Sequence, residues 1–516
     1  MGQANATVVP KPVFRSSAIF PAFNLSNVNS RILFMGYWIL KRHIREIAAV
    51  VSLRSEKGLI LHRTLFTIQE AKTYRIELKE LLAAAGISTE DSFIGSMEIE
   101  FFSTVNLVFP FPAVVINYYG PHFSSVVHTA QRIYNDSEDK RNNSQSNVPE
   151  AGFNLYADDD HEPFFSLING SEALPNATLD MQFYNSKQEL LTHTLNLGDL
   201  EPYQTTVVYP SRELDLKSFF DSRVGSGKIR FHLNWVFPRL VVGNIQHSTS
   251  AIVITHSYYD CSQETSATNY WQPEQSKWYP ASLAIPCIIQ NSHFTNAYFY
   301  PIYSPSSIEI DVEIYDSLGH ILGVKKNALK IKSPMTAFYR IPLKELCKEM
   351  DITPSQNLGA RIIARSSDNK PIPSRIKLGL DIGGNAEALP CNICTNLQPF
   401  NPALDAKPKS FKWAPLLADQ PNATIWIMNS SPAKEYDKYA EVELTFFREK
   451  DVQTLSRKIS LPPQGFIVID PKTDFELQTF LENQIGWLTA ISTNSYTTTY
   501  YFAESSAGVV GGDHGF

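Results

Sequence analysis

The sequence has little cysteine and almost no excess charge of either sign, and each shortage excludes a class of protein. Five cysteines, an odd number, are too few for a disulfide-stapled secreted scaffold of 516 residues. The 45 basic and 52 acidic side chains give a net charge of −7, which provides no polycationic face for nucleic acid. We therefore expect a chain suited to a reducing compartment that does not bind nucleic acid.

Long hydrophobic runs are also missing. The most apolar stretch, ILFMGYWIL at residues 32–40, is followed at once by Lys41, Arg42 and His43, and it is far shorter than the roughly 20 residues that cross a bilayer. The first residues, MGQANATVVPKPVFRSS, show no apolar core behind a basic start, as a secretory signal would. No membrane span is predicted. The default expectation is a cytoplasmic protein, or a surface-associated one if its export route leaves no signal here.

Aromatic residues, in contrast, are plentiful. The chain contains 31 Phe, 23 Tyr and 7 Trp within a hydrophobic fraction of 43%. That composition fills cores and differs from that of a disordered chain. Because a domain typically has about 100–150 residues, several separate cores are expected.

An internal repeat divides the chain into four. One pattern, an alternating strand, a polar turn and a second alternating strand, occurs as AVVSLRSEKGLILHRTLFTI, DMQFYNSKQELLTHTLNL, DVEIYDSLGHILGVKKNALKI and EVELTFFREKDVQTLSRKISL. The last turn residues are Gly58, Gln188, Gly319 and Asp451, separated by 130, 131 and 132 positions. Such even spacing predicts four equivalent units, each containing a β-hairpin.

Two further landmarks follow the hairpins. A glycine opens a later apolar strand in every repeat, at Gly95, Gly227, Gly359 and Gly486, which lie 37, 39, 40 and 35 residues beyond the turns. Tyrosine pairs close a further β-like run at 118–119, 258–259 and 500–501, where the third unit has KLGL at 377–380. Either the third unit has diverged at that strand or it is misaligned there.

Helical periodicity is scarce. Three short segments, ELKELLAAA, LKELCKEM and DFELQTFLENQ, follow the hairpins in the first, third and fourth units, and residues 212–220 form a weaker counterpart in the second.

These patterns predict an all-β fold of four tandem antiparallel β-sandwich units of about 130 residues, each with at most one short helix. Units of this size with six to eight short strands are typical of immunoglobulin-like or fibronectin-like sandwiches. Polar linkers give the predicted unit boundaries 13–142, 143–267, 268–399 and 400–516.

A single C-x-x-C motif, Cys391 to Cys394, has the spacing at which two thiolates hold a metal or exchange a disulfide. A zinc ribbon needs a second pair, which the sequence does not contain. We interpret the motif as a linker pair without function, with a disulfide or a shared metal site as the alternative.

Histidines and carboxylates occur near the strand ends of several units. They are candidate ligands of a divalent metal, or candidate acid-base groups. His122 and His128 follow the first tyrosine pair. The predicted metal-binding residues are His122, His256, Asp260, Asp513 and His514. Structural histidines are the simpler interpretation, because no nucleophile elbow accompanies them. We expect the glycine-rich C-terminus to be flexible. If it is ordered instead, Asp513 and His514 become the strongest candidates for the metal or acid-base site.

Aromatic side chains that are exposed could stack on sugars. The candidate ligand-binding residues are Trp271 and Trp278, in NYWQPEQSKWYP, with Tyr298 and Tyr300, in AYFYPIYSP.

The leading functional hypothesis is a non-catalytic, multi-domain binding or scaffold protein of bacterial type, with a glycan or another protein as partner and no required cofactor. One alternative is a metal-dependent or acid-base enzyme with its site in a cleft between units, for which convergence of the histidines with carboxylates is the discriminating observation. Another is a structural subunit of a filament or surface layer.

Overall fold

The computed structural model describes residues 13–128, 130–142, 150–221, 223–259, 280–333, 337–353, 357–368, 370–433 and 435–516. Strands dominate these residues and pair in antiparallel sheets, which confirms the all-β class expected from the sequence. Among the described residues no helix is both long and apolar enough to cross a membrane.

In the described part of the chain each unit has eight principal strands, in one order along the chain. The first unit has β1 (Phe14–Asn24), β2 (Asn29–Met35), β3 (Ile47–Ser55), β4 (Ile60–Ile68), β5 (Thr73–Glu77), β6 (Phe93–Ser103), β7 (Val114–Gly120) and β8 (Phe123–Val127). A short β9 (Arg132–Ile133) follows. The second unit has β10 (Glu150–Tyr156), β11 (His161–Ile168), β12 (Leu174–Tyr184), β13 (Leu190–Leu200), β14 (Thr205–Val208), β15 (Val224–Phe231), β17 (Val241–Gln246) and β18 (Ala251–His256). Two short strands, β16 (Val236–Phe237) and β19 (Tyr258–Tyr259), accompany them and pair with β9 and β10.

The other two units repeat the arrangement. The third has β20 (Ala281–Cys287), β21 (Phe294–Phe299), β22 (Ile308–Tyr315), β23 (Ile321–Ile331), β24 (Tyr339–Pro342), β25 (Leu358–Ser366), β26 (Ile376–Gly383) and β27 (Cys391–Pro399). The fourth has β28 (Ser410–Leu416), β29 (Ala423–Met428), β30 (Ala440–Arg448), β31 (Thr454–Leu461), β32 (Phe466–Ile469), β33 (Gly486–Ser492), β34 (Thr498–Glu504) and β35 (Val510–His514).

Every unit pairs its strands in the same way. One sheet has the order first, sixth, third, fourth, and the other has the order fifth, second, seventh, eighth. In the third unit these two sheets join through β20 and β27. Four identical topologies in one chain explain why the hairpin pattern recurs at an even spacing, because each predicted hairpin joins the third and fourth strands of its unit.

Short helices lie between the fifth and sixth strands, as the periodicity predicts. They are α2 (Leu78–Ala84), α4 (Leu216–Phe219), α5 (Leu343–Glu349) and α7 (Phe475–Leu481), and a 3-10 turn at Pro210–Arg212 precedes α4. The described residues contain three more helices, α1 (Tyr37–Arg42), α3 (Ser137–Asn142) and α6 (Pro402–Asp405), which bring the first and fourth units above the one helix expected per unit.

The tyrosine landmark is partly wrong. Tyr118–Tyr119 and Tyr500–Tyr501 lie on the seventh strands of the first and fourth units. The KLGL segment lies on the seventh strand of the third unit, so it is equivalent to the two tyrosine pairs. Tyr258–Tyr259 instead forms β19, after the eighth strand of the second unit. The second unit is the misaligned one, because its seventh strand, VVGNIQ, has no tyrosine pair.

The four units close into a ring through their hairpin turns. Each turn contacts the start of the fifth strand in the next unit. Thr205 N donates to Glu56 O at 2.9 Å between the first and second units, and Phe466 N donates to Ser317 O at 3.1 Å between the third and fourth. Gln188 Nε2 donates to Phe338 O at 3.1 Å between the second and third.

The fourth joint returns to the first unit. Thr73 Oγ1 donates to Phe447 O at 3.2 Å, and Arg75 Nε donates to Glu449 Oε2 at 3.1 Å. A head-to-tail contact of this kind forms a ring when the rotation between neighbours closes, and here four units complete it within one chain.

The eighth strands meet at the centre of the ring. β8 packs against β18 and β35, and β27 packs against the same two, so that each eighth strand has two neighbouring units beside it. Ile254 N donates to Ser125 Oγ at 2.9 Å, and Val510 N donates to Leu389 O at 3.1 Å. Residues at the ends of these strands are consequently brought together from different units.

Candidate metal centre and adjoining cleft

Three histidines from three units converge at the centre of the ring. His128 follows the last residue of β8, His256 ends β18 and His514 ends β35, with Asp513 beside it. The imidazole centroid of His128 lies 4.8 Å from that of His256 and 4.6 Å from that of His514. The imidazole centroids of His256 and His514 are 5.9 Å apart. One possible ligand atom from each of the three imidazoles and from Asp513 lies within 4.8 Å of the others.

Each imidazole has its Nδ1 atom beside an acceptor. His128 Nδ1 lies 2.7 Å from Asp513 Oδ2, His256 Nδ1 lies 3.2 Å from Ser257 O, and His514 Nδ1 lies 3.0 Å from Gly515 O. A backbone carbonyl only accepts hydrogen bonds, so Nδ1 carries the proton in His256 and His514. The Nε2 atoms then hold the lone pairs, which is the tautomer in which histidine ligates a metal through Nε2.

Burial keeps the three imidazoles neutral. It lowers the pKa of His128 to about 3, with Arg239 contributing, and it lowers the pKa of His256 to about 3, with His128 contributing. Burial together with His128 lowers the pKa of His514 to about 4. The Nε2 atom of His514 is buried and has no hydrogen-bond partner within the part of the chain that the structure describes. A buried nitrogen without a partner is costly unless something binds it.

The C-terminal tail is ordered and forms one wall of the centre. Phe516 and Trp413 exchange backbone hydrogen bonds of 3.1 and 3.0 Å, and Gly515 N donates to Thr499 O at 2.6 Å. The Phe516 ring stacks on His128, with centroids 5.0 Å apart. The tail is thus fixed as an added edge of the fourth unit, contrary to the expectation that it is flexible.

A cleft of about 310 Å³ lies next to the metal candidates, and His128 forms part of its lining. Lys41, Arg42 and Arg239 also line it. Its aromatic walls are Tyr37, Phe109, Phe111, Phe237, Trp413 and Phe516. The cleft lies between the first, second and fourth units, where the sequence-based alternative places an enzyme site.

The predicted metal-binding residues divide into two groups. His256, Asp513 and His514 meet in the centre, whereas His122 is exposed on the turn between β7 and β8 and does not belong to the cluster. His128, which also follows the first tyrosine pair, takes its place. Strand position could have identified it, because His128, His256 and His514 each come at the end of an eighth strand. Asp260 lies outside the described residues.

The predicted aromatic ligand site does not form on the surface. Tyr298 and Tyr300 are only 1% and 3% exposed, and Tyr300 OH donates to Asn154 Oδ1 at 2.9 Å across the contact between the second and third units. The expectation that these two rings are exposed is wrong, because the neighbouring unit covers them. Trp271 and Trp278 lie outside the described residues, so glycan binding through them stays a prediction.

The C-x-x-C cysteines occupy strand β27 instead of a linker. Both are fully buried, free thiols. Burial raises the pKa of each thiol well above its usual range. A protonated, buried thiol behaves as a small apolar side chain.

Comparisons with known proteins leave the function open. No protein-family model matches the chain, and no curated protein matches it significantly. Among solved structures, a tetra-tandem repeat from the extending region of a large adhesion protein aligns over 97% of this chain and 98% of that chain, with 8% identity and a TM-score of 0.09. A calcium-binding mutant of Bacteroides uniformis beta-glucuronidase 2 aligns over 47% of this chain and 26% of that chain, with 10% identity and a TM-score of 0.11. At such TM-scores neither likeness carries an argument about this protein.

Proposed function

We propose that this chain is a metal-binding β-sandwich scaffold, whose ring of four units holds a divalent transition-metal ion on Nε2 of His128, His256 and His514. Zinc is the first choice, because neutral imidazoles suit zinc and the first-row metals near it. The observation that carries the proposal is the convergence of three imidazoles, of which His256 is buried and His128 and His514 are partly buried, each with Nδ1 beside an acceptor.

Asp513 has an orienting role in this proposal. Its Oδ2 atom lies 2.7 Å from His128 Nδ1 and accepts from the His128 backbone N at 3.1 Å, and its Oδ1 atom accepts from His514 N at 2.8 Å. A carboxylate that holds the far nitrogen of a ligating histidine fixes the ring and raises its basicity. Through its contacts with His128, the carboxylate of Asp513 links the fourth unit to the first beside the proposed metal site.

Three imidazole ligands leave a fourth position on a tetrahedral ion. Structural zinc sites fill all four positions with protein ligands, whereas catalytic sites keep one for water or substrate. His128 also lines the cleft, so one of the three proposed ligands borders a cavity of about 310 Å³. This observation favours a metal-dependent hydrolytic enzyme as the second candidate, in which the ion would lower the pKa of a bound water.

The test is a titration of the purified, chelator-treated full chain with Co²⁺, followed by its visible absorption. We expect one ion per chain and the intense bands of a four-coordinate site. His514→Ala and His256→Ala should each weaken binding by at least about tenfold, and Asp513→Asn, which preserves shape, by about 10–100-fold. His122→Ala is the matched control, since it removes an exposed histidine of the first unit and should leave the titration unchanged.

Equal binding by the wild type, His514→Ala and Asp513→Asn would overturn the proposal, as would the absence of four-coordinate bands in the wild type. Circular dichroism of each variant separates lost ligation from lost folding. Azide added to the Co²⁺ form distinguishes the two candidates. A changed spectrum indicates an open fourth position, and an unchanged spectrum assigns the ion a purely structural role.

A further inference from the structure

Two cations that line the cleft, Lys41 and Arg42, lie beside aromatic rings and have no carboxylate partner among the described residues. They form the last turn of α1, and among the described residues neither makes a salt bridge within 4.0 Å. The Lys41 Nζ atom lies 5.1 and 5.3 Å from the ring centroids of Phe411 and Trp413, and the Arg42 guanidinium lies 5.7 Å from that of Phe109. Aromatic faces attract these cations but do not neutralise them.

The two charges also disfavour each other. Lys41 is an exposed residue, but partial burial of its ammonium lowers its pKa, and the neighbouring Arg42 lowers it further. The Arg42 Nε atom is buried without a hydrogen-bond partner in the described part of the chain. Arg239, the third cation of the cleft, is different, because its Nη1 donates to Glu150 Oε1 at 2.9 Å. Two adjacent cations beside an apolar cavity create a local excess of positive charge that an anion would relieve.

The walls of the cleft supply apolar surface. Phe109 and Phe111 are 53% and 40% exposed, which is unusual for large apolar side chains placed close together. They belong to the loop of residues 104–113 between β6 and β7, where Val108 has a φ of 73°. A β-branched residue is strained at positive φ, and such strain is concentrated where function requires it. Ser17 N donates to Pro110 O at 2.9 Å and fixes this loop over the cleft.

We propose that the cleft binds a small arene carboxylate, with its ring between Phe109, Phe111 and Trp413 and its carboxylate on Lys41 and Arg42. A volume of about 310 Å³ is at the lower end of the range for small-molecule sites. Arginine suits a carboxylate, since its planar fork matches two oxygen atoms. The proposal goes beyond the metal centre and does not depend on it, because the ring and the carboxylate contact residues that are not metal ligands.

The probe is 2-naphthoate, titrated into the full chain in the presence of a chelator and followed by isothermal calorimetry. We expect saturable binding that weakens with added salt, as an ion pair in a partly exposed site should. The neutral analogue 2-naphthalenemethanol has the same ring system and should bind at least about tenfold more weakly.

The variants test the cations. Lys41→Met and Arg42→Met keep an unbranched side chain against the aromatic rings, and the double variant should weaken 2-naphthoate binding at least about tenfold while leaving the neutral analogue unchanged. Lys140→Met is the matched control, because Lys140 also lies over an aromatic ring, 5.1 Å from the centroid of Trp235, but outside the cleft.

Equal affinity for the two probes, or no saturable binding of 2-naphthoate, would overturn the anion site. The same titration with His256→Ala separates the two proposals. If 2-naphthoate binds this variant as it binds the wild type, the anion site stands even where the Co²⁺ titration has failed. If binding requires both His256 and added metal, the carboxylate is a metal ligand and the assignment to Lys41 and Arg42 is wrong.

Discussion

Gly319→Ala is expected to lower the free energy of unfolding by about 3 kcal/mol. Gly319 lies in the turn between β22 and β23 with a φ of 82°, and a Cβ atom there would stand 2.0 Å from the carbonyl oxygen of Pro463 in the next unit. Positive φ costs a residue with a Cβ about 1–2 kcal/mol. The remainder comes from displacing the joint, including its hydrogen bond from Phe466 N to Ser317 O, which is worth about 1 kcal/mol.

Gly86→Ala is the matched control for this prediction. Gly86 has a φ of 72°, and a Cβ atom added there would have no neighbour within 4 Å among the described residues, so the substitution has the backbone cost without the clash. Urea unfolding of both variants measures the difference, which we expect to be about 1–2 kcal/mol. Gly58→Ala should behave like Gly319→Ala, since its Cβ would stand 2.0 Å from Pro202 O. If Gly319→Ala and Gly86→Ala have equal effects, the turn is not held against the next unit.

The hairpin turns show how far the sequence could predict the fold. The spacing of the four turn residues Gly58, Gln188, Gly319 and Asp451 gives the repeat, and the alternation beside them gives the hairpins, because each is visible as a local pattern in the chain. The two glycines among them also allow the contact between units, but a local pattern carries no information about what lies beyond the turn. Closure of the ring depends on the rotation between neighbouring units, which no periodicity records.

The candidate site shows the same limit. His256 and His514 could be selected because each stands at a strand end near a carboxylate. Strand position distinguishes His128, which follows β8, from His122, which precedes it, but only the arrangement of the units shows that the ends of the eighth strands meet. Tyr298 and Tyr300 failed as exposed ligand residues for the related reason that another unit covers them. Sequence reasoning identified residue types and strand ends, and the arrangement of the units decided which of them meet.

A second buried polar cluster links the second and third units through Asp381. This carboxylate, on β26, is completely buried. Its Oδ2 atom accepts from Asn154 Nδ2 at 2.9 Å and from the hydroxyl of Tyr156, and its Oδ1 atom accepts from Asn392 Nδ2 at 2.6 Å. Burial raises its pKa to about 6, against the opposing effect of those hydrogen bonds and of Arg340.

The raised pKa gives a pH dependence of definite sign. Between the ordinary aspartate value of 3.8 and about 6, the folded protein keeps a proton on Asp381 that the unfolded chain has lost. The protonated carboxyl therefore contributes its full stabilisation below the unfolded pKa of 3.8, and this stabilisation is lost as the pH rises through the folded pKa of about 6. At about 1.4 kcal/mol per pKa unit, the loss amounts to about 3 kcal/mol.

Asp381→Asn removes this titration while keeping the side-chain shape. The unfolding free energy of the variant minus that of the wild type should rise by about 2.5 kcal/mol between pH 4 and pH 7. Urea unfolding of both proteins across that range, in chelator, measures the difference, and other titrating groups cancel because both proteins share them. Asp437→Asn removes an exposed carboxylate and should give no comparable rise. A flat difference for Asp381→Asn would mean that water reaches the carboxylate in the folded state, and that the contact between the second and third units is looser than the hydrogen bonds to Asn154 and Tyr156 require.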